Sequence, residues 1–144
     1  MDILKESLDY LIIGILGGMS FIVLWLTIER LFYYRGVSLN QFDNEHDLEV
    51  SLTNNLTTIA TIGSNAPYIG LLGTVIGIML TFHDMGQSGN IDVKTIMLGL
   101  ALALKATAAG LFVALPAIVF YNMLLRKVDV LTANWKVVQL KKGS

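Results

Sequence analysis

The sequence contains three long apolar stretches that are almost free of charge. Uncharged runs of 19 and 34 residues are followed by a run of 31 residues in which Lys105 is the single charge. A helix needs about 20 apolar residues to cross a hydrocarbon core of about 30 Å. The pattern therefore predicts an all-α integral membrane protein with three transmembrane helices at about residues 10–32, 57–82 and 94–125.

Basic residues are distributed unequally between the two sides that these helices define. One side carries only Lys5 and Lys94. The other carries Arg30, Arg35, Arg126, Lys127, Lys136, Lys141 and Lys142. Because basic loops remain cytoplasmic, we expect a periplasmic N-terminus and a cytoplasmic C-terminus. Residues 1–144 would form one membrane domain, with a short cytoplasmic connection at about 33–56 and a cytoplasmic tail at about 126–144. The acidic N-terminal segment argues against a cleaved signal peptide.

Three shorter segments at the membrane boundaries also have interpretable patterns. Apolar spacing in residues 47–63 predicts a helix that runs into the second span. Asn90 or Asp92 is suited to cap the third helix. Aromatic residues typical of the lipid–water boundary lie on the cytoplasmic side: Trp25, Tyr33, Tyr34 and Tyr121.

Composition narrows the classes of function. Hydrophobic residues make up 54% of the chain and charged residues 15%, whereas soluble domains carry about 25% charge. A net charge of −1 gives no basis for nucleic-acid binding. The chain has no cysteine, which excludes disulfides and thiolate chemistry, and His46 and His83 lie too far apart to form a ligand pair. We expect a protein that is not an enzyme, with no catalytic residue, metal or cofactor.

The second predicted helix has a face of small residues. Gly70, Gly73 and Gly77 recur at three- and four-residue steps, and such residues let transmembrane helices approach closely. Pro67 lies within the same helix and should kink it unless neighbours satisfy the carbonyl that it frees. This face predicts helix contact rather than a specific chemistry.

The third predicted helix repeats the pattern over a longer distance. Its small residues step by four and three along one face: Ala103, Thr107, Gly110, Ala114 and Ala117. Pro116 belongs to the same packing region. The stripe predicts either a seam against another helix or the lining of a pore built from several copies. For the hydroxyls of Thr74 and Thr107, the simplest interpretation is a hydrogen bond to the carbonyl one turn earlier.

Lys105 stands near the middle of the third helix. It follows Lys94 by eleven residues, or about 16 Å at 1.5 Å per residue. A lysine at mid-bilayer costs about 2.5–3.5 kcal/mol on insertion scales, so it normally faces protein, water or a carboxylate. The sequence places its acidic residues in termini and loops, so a carboxylate partner would belong to another chain. Snorkelling or deprotonation against lipid is the alternative.

The two small-residue helices together resemble a known family. The segments SNAPYIGLLGTVIGIMLTF and ALKATAAGLFVALPAIVFYN are similar to the paired helix signatures of the ExbB/TolQ/MotA family of proton channels, over about residues 58–125. The resemblance implies a homo-oligomeric inner-membrane ring, pentameric in this family, around the transmembrane helices of ExbD. Proton flow would then drive force transmitted to TonB and to outer-membrane transport.

The same resemblance implies roles for individual residues. Thr74 and Thr107 match the family's inward-facing threonines, opposite the partner's transmembrane aspartate, and the small-residue stripes would line the lumen and pack against neighbours. Many relatives carry a glutamate at the position of Leu102, and many have a larger cytoplasmic domain. A TolQ-like role in outer-membrane integrity, a self-sufficient small ion channel and a structural anchor remain as alternatives.

Overall fold

The computed structural model describes residues 2–143, which form four α-helices. These are α1 (Asp2–Gly36), α2 (Glu45–Leu52), α3 (Leu56–Ser88) and α4 (Val93–Lys142), with a short 3-10 turn at Leu39–Gln41. Helices α1, α3 and α4 are each long and apolar enough to cross a membrane. The all-helical class and the three candidate spans are therefore confirmed. Residues 1 and 144, the ends of the predicted domain, lie outside the described residues.

All three long helices extend beyond the predicted spans. The largest extension is in α4, which continues without a break through the predicted tail to Lys142. A charge-free run marks only the part of a helix suited to hydrocarbon, whereas the helix itself continues wherever its backbone and packing allow. Pro67 and Pro116 both lie inside continuous helices, so neither ends the helix that contains it.

Helices α3 and α4 form an antiparallel hairpin. α3 ends at Ser88 and is capped by Gly89, whose φ of 68° is a left-handed conformation that glycine adopts without strain. Asp92 then caps α4 by accepting hydrogen bonds from the Lys94 amide at 3.2 Å and from the Thr95 hydroxyl at 3.0 Å. Asp92, rather than Asn90, is thus the N-cap of α4.

Helix α1 lies against this hairpin through a small apolar cluster. Ile12 and Leu16 are 4% and 2% exposed and pack with Ala66, Ala106 and Ala114. The opposite side of α1 exposes large apolar side chains such as Phe21 and Trp25, as expected for a helix that meets lipid.

The connection between α1 and α3 contains the helix α2, which does not run into α3. Asn44 caps α2 by accepting a hydrogen bond from the Asp47 amide at 2.8 Å, and α2 ends at Leu52. Asn55 then adopts a left-handed φ of 71°, which asparagine tolerates better than most residues. The predicted continuous helix over residues 47–63 was therefore wrong, because this left-handed residue separates α2 from α3.

The end of α1 holds α2 through its last carbonyls. Arg30, only 3% exposed, donates a hydrogen bond from Nη1 to the Ser51 carbonyl at 2.9 Å. Tyr34, 8% exposed, donates to the Leu52 carbonyl at 2.6 Å. The final carbonyls of a helix have no partner within it, so these side chains satisfy them. Tyr34 therefore packs against protein and is not the lipid-facing interfacial residue that was predicted.

We expect Arg30→Met to release α2 from α1. A hydrogen bond that involves a charged group contributes about 1.5–3 kcal/mol, and this substitution also leaves the Ser51 carbonyl without its buried partner. Limited proteolysis should become faster within residues 37–55. Arg35→Met is the matched control, because Arg35 is an exposed arginine near the end of the same helix. Equal cleavage rates in the two variants would contradict a stabilising role for Arg30.

Candidate functional site

The two longest small-residue faces meet each other inside one chain. A Cβ atom placed on Gly70 would lie 2.5 Å from the Ala106 carbonyl oxygen, and one placed on Gly110 would lie 2.6 Å from the Ala66 carbonyl oxygen. Real Cβ atoms do not approach so closely, so only glycine permits this crossing. Gly70 and Gly110 thus mark the point where the α3 and α4 backbones touch.

The same seam continues on the loop side of that crossing. Cβ atoms added at Gly73 and Gly77 would lie 2.9 Å from the Ala106 side chain and 3.2 Å from the Ala103 side chain. Five small residues of α4 are buried along the seam: Ala103, Ala106, Gly110, Ala114 and Ala117. These positions are covered by the chain's own helices, so they form a seam rather than the surface of a lumen. Ala106, not Thr107, occupies the centre of the stripe.

Two threonines bridge the helices beside this seam. Thr74 of α3 is 7% exposed, and its hydroxyl donates a hydrogen bond to the Ala103 carbonyl of α4 at 2.6 Å. Its hydroxyl oxygen also contacts that of Thr107. The Gly70 carbonyl, one turn earlier on the same helix, lies farther away at 3.4 Å. The Thr74 hydroxyl therefore bonds mainly across the helix pair.

The direction of this hydrogen-bond chain follows from its proton count. A hydroxyl has one proton to donate and two lone pairs to accept with. Because Thr74 donates its proton to Ala103, Thr107 must donate to Thr74. The lone pairs of Thr107 remain available at the half-buried edge of the seam. The arrangement thus presents an acceptor oxygen that can receive a hydrogen bond from a protonated group outside the chain.

Lys105 points away from the seam, as its spacing predicts. It is exposed, whereas the adjacent Ala106 is buried. Within residues 2–143 no hydrogen bond or ion pair involves it. Leu102, at the family's glutamate position, is 51% exposed on the same helix. The structure therefore brings Thr74 and Thr107 together and leaves Lys105 outside that pair.

The structure also reveals polar contacts that sequence reasoning missed. Asp84 lies within α3 rather than in a loop, and it forms an ion pair with Lys5 of α1 at 3.3 Å. Thr81 is 2% exposed and donates to the Gly77 carbonyl at 3.0 Å. The threonine could have been suspected from its place one turn after Gly77. Nothing in the sequence pairs Lys5 with Asp84, which are 79 positions apart.

The threonine pair makes a specific prediction for Thr107→Val. Valine matches threonine in shape, and Thr74 keeps its bond to Ala103, so the fold should be retained. If the Thr107 oxygen accepts a hydrogen bond from a proton donor of a partner, as the family resemblance implies, the proton-driven activity that the same resemblance implies should fall about tenfold, equivalent to about 1.4 kcal/mol. Thr107→Ser should retain activity. Thr61→Val is the matched control, because Thr61 is exposed on α3 and bonds only its own helix at the Thr57 carbonyl. Full activity in Thr107→Val would contradict this role.

Together these features define a helical membrane protein in which α3 and α4 hold a hydroxyl pair beside a glycine–alanine seam. Residues 27–137 match the profile of the MotA/TolQ/ExbB proton channel family. The chain belongs to this family, and family members of this kind are transport and channel proteins rather than enzymes.

Two relatives named ExbB match nearly the whole chain, and a TolQ matches part of it. The chain is 52% identical over 139 residues to the Biopolymer transport protein ExbB of Helicobacter pylori (strain J99), covering 96% of each chain. It is 49% identical over 138 residues to the Biopolymer transport protein ExbB of Aquifex aeolicus, covering 96% of this chain and 93% of that one. The Tol-Pal system protein TolQ of Pseudomonas aeruginosa is 40% identical over 87 residues, 60% of this chain and 38% of that protein.

Proposed function

We propose that this chain is the ring-forming stator subunit of a proton-driven motor in the bacterial inner membrane. With ExbD it would energise TonB-dependent transport across the outer membrane. The observation that carries the proposal is similarity to two proteins named Biopolymer transport protein ExbB across almost their full length. The threonine pair, in which Thr74 is buried and Thr107 half-buried, gives the proposal a chemical site.

In this proposal the coupling ion is the proton, and the chain needs no cofactor. Several copies, five by analogy with the family, would surround the ExbD helices, with the N-terminus periplasmic and the C-terminus cytoplasmic. Thr107 would accept a hydrogen bond from the protonated carboxyl of the partner's aspartate. Loss of that proton would remove the donor, because a carboxylate only accepts hydrogen bonds. The threonine pair would thus favour the protonated form of the partner.

Purification and gene deletion test the proposal together. The tagged chain should be purified as a ring that carries a one-helix partner with an intramembrane aspartate. Deletion should abolish TonB-dependent uptake, and the intact gene should restore it. A ring that conducts protons without any such partner would instead be a self-sufficient channel, and normal uptake after deletion would overturn the proposal.

A TolQ-like role is the second candidate, and the partial match to a TolQ supports it. In that case deletion would cause detergent sensitivity and leakage of periplasmic proteins while uptake remained normal. The near-complete coverage of the two ExbB relatives favours the transport role, because the TolQ match covers only 38% of that protein.

A further inference from the structure

A recess of about 270 Å³ lies between the end of α1 and the part of α4 that continues beyond its apolar run. Its lining combines three basic side chains with apolar surface: Tyr34 and Arg35 from α1, and Arg126, Lys127, Val130 and Leu131 from α4. Among residues 2–143 the lining includes no acidic residue. The Tyr34 hydroxyl already donates its proton to the Leu52 carbonyl, so the side-chain donors left for a ligand are the three basic groups.

The three basic side chains have no anionic partner in the described part of the chain. Arg35, Arg126 and Lys127 are exposed, and within residues 2–143 no side-chain hydrogen bond or ion pair involves any of them. Arg30 of α1 differs, because a carboxylate of its own helix neutralises it. Asp129 of α4 is exposed and does not line the recess. Like charges that share one recess repel each other, so a bound anion would lower their electrostatic energy.

The recess lies where α4 leaves its apolar span. Arg126 and Lys127 directly follow the 31-residue run that contains a single charge. Met123, one turn before Lys127, is 38% exposed. Phe32, one turn before Arg35 on α1, is 66% exposed. Residues three or four positions apart share one helix face, so exposed apolar surface continues from the basic groups towards the hydrocarbon.

We propose that this recess binds the headgroup of an anionic phospholipid in the leaflet that meets the C-terminal end of the α4 span. Two arginines offer paired N–H donors that match a phosphate group, and the lysine adds a point charge. The acyl chains would lie along Met123 and Phe32. A soluble anion would satisfy the basic groups but leave this apolar surface uncovered, whereas a phospholipid satisfies both. The proposal requires α1 and α4 to cross a bilayer and does not depend on proton transport.

Lipid titration of the purified, assembled complex, followed by native mass spectrometry, tests this site. Phosphatidylglycerol is anionic, whereas phosphatidylcholine with the same acyl chains has no net charge. The unmodified complex should bind phosphatidylglycerol about tenfold more tightly than phosphatidylcholine. Lys127→Gln should weaken phosphatidylglycerol binding about fivefold, the effect expected from one basic residue beside an anionic lipid. Lys94→Gln is the matched control and should leave the affinity unchanged, because it removes the same charge from an exposed position at the other end of the α4 span.

Arg126→Gln provides a second variant and should reproduce the loss seen in Lys127→Gln. Both side chains are exposed and unpaired within residues 2–143, so neither substitution should lower the midpoint of thermal unfolding. Equal affinities for the two lipids would refute recognition of the headgroup. Equal losses in Lys127→Gln and Lys94→Gln would refute this recess as the site and indicate a general effect of surface charge. Displacement of phosphatidylglycerol by inorganic phosphate at the same concentration would assign the recess to a soluble anion and overturn the proposal.

Discussion

Replacing Gly110 by leucine should prevent α3 and α4 from packing in their native register. Even the first added carbon would lie 2.6 Å from the Ala66 carbonyl oxygen and 3.0 Å from the Gly70 Cα. Both neighbours belong to backbone, which cannot rotate away as a side chain can. The helices must therefore separate along a seam whose stability depends on close packing, because lipid provides no hydrophobic drive between helices.

The expected cost of this substitution is large. Overpacking a close-packed site costs about 1–3 kcal/mol, and a contact with backbone falls at the upper end of that range. We expect the midpoint of thermal unfolding in detergent to fall by about 10 °C, with Gly110→Ala showing a smaller decrease in the same direction. Loss of the Thr74–Ala103 hydrogen bond should follow, since the bond spans the same helix pair.

Gly17→Leu provides the matched control for this packing argument. Gly17 also lies in a long apolar helix, but a Cβ atom added there meets nothing within 4 Å. The leucine would enter open space, and its unfolding midpoint should remain near that of the unmodified chain. A Gly110→Leu protein as stable as Gly17→Leu would show that the α3–α4 seam does not depend on backbone contact at this position.

The fold could be predicted from the sequence wherever a single physical requirement controls it. Crossing lipid requires a long uncharged helix, so the three candidate spans are visible as charge-free runs. The break at Asn55 could not be predicted in the same way. Its left-handed backbone is one of several conformations open to asparagine, and Arg30 and Tyr34 of α1 hold the preceding α2 from outside its own sequence.

The candidate site was predictable in its residues but not in its geometry. Residues 103, 106, 107 and 110 all lie near one face of a helix, so spacing alone cannot decide which of positions 106 and 107 is central. The approach of Gly70 and Gly73 decides it, because Ala106 contacts both. Thr107 is thereby placed at the edge of the seam, where its hydroxyl meets Thr74 and its lone pairs stay accessible. That edge position depends on how α3 packs against α4, so it cannot be read from the sequence of α4 alone.

Lys105→Met should remove most of the energised transport while leaving the protein folded. Lys105 is exposed on its own chain and has no ion pair within residues 2–143, so its removal breaks no intrachain contact. Insertion of a central lysine costs about 2.5–3.5 kcal/mol, so methionine should if anything favour the membrane-inserted state. A loss of function would therefore report a contact outside the chain rather than a folding defect.

The proposed contact is with an anionic or polar group at a subunit or partner interface. Within residues 2–143 no acidic side chain forms an ion pair with Lys105. A positive charge beside the partner's aspartate would favour its ionised form, opposing the effect that we propose for Thr107. Lys105 would lower the proton affinity of the partner's aspartate and Thr107 would raise it. Together they would keep that affinity at an intermediate value, at which the aspartate can both take up and release a proton.

Three variants separate this charge effect from a purely structural one. In rings that assemble normally, Lys105→Met should lower transport to about a tenth of the unmodified value, a change of about 1.4 kcal/mol in the coupled step. Lys105→Arg should retain much of the transport because it keeps the charge, and its pH profile should remain close to the original. Lys94→Met, at the exposed start of α4, should behave as the unmodified protein. Undiminished transport in Lys105→Met would eliminate the interface role and leave snorkelling towards water as the explanation for this lysine.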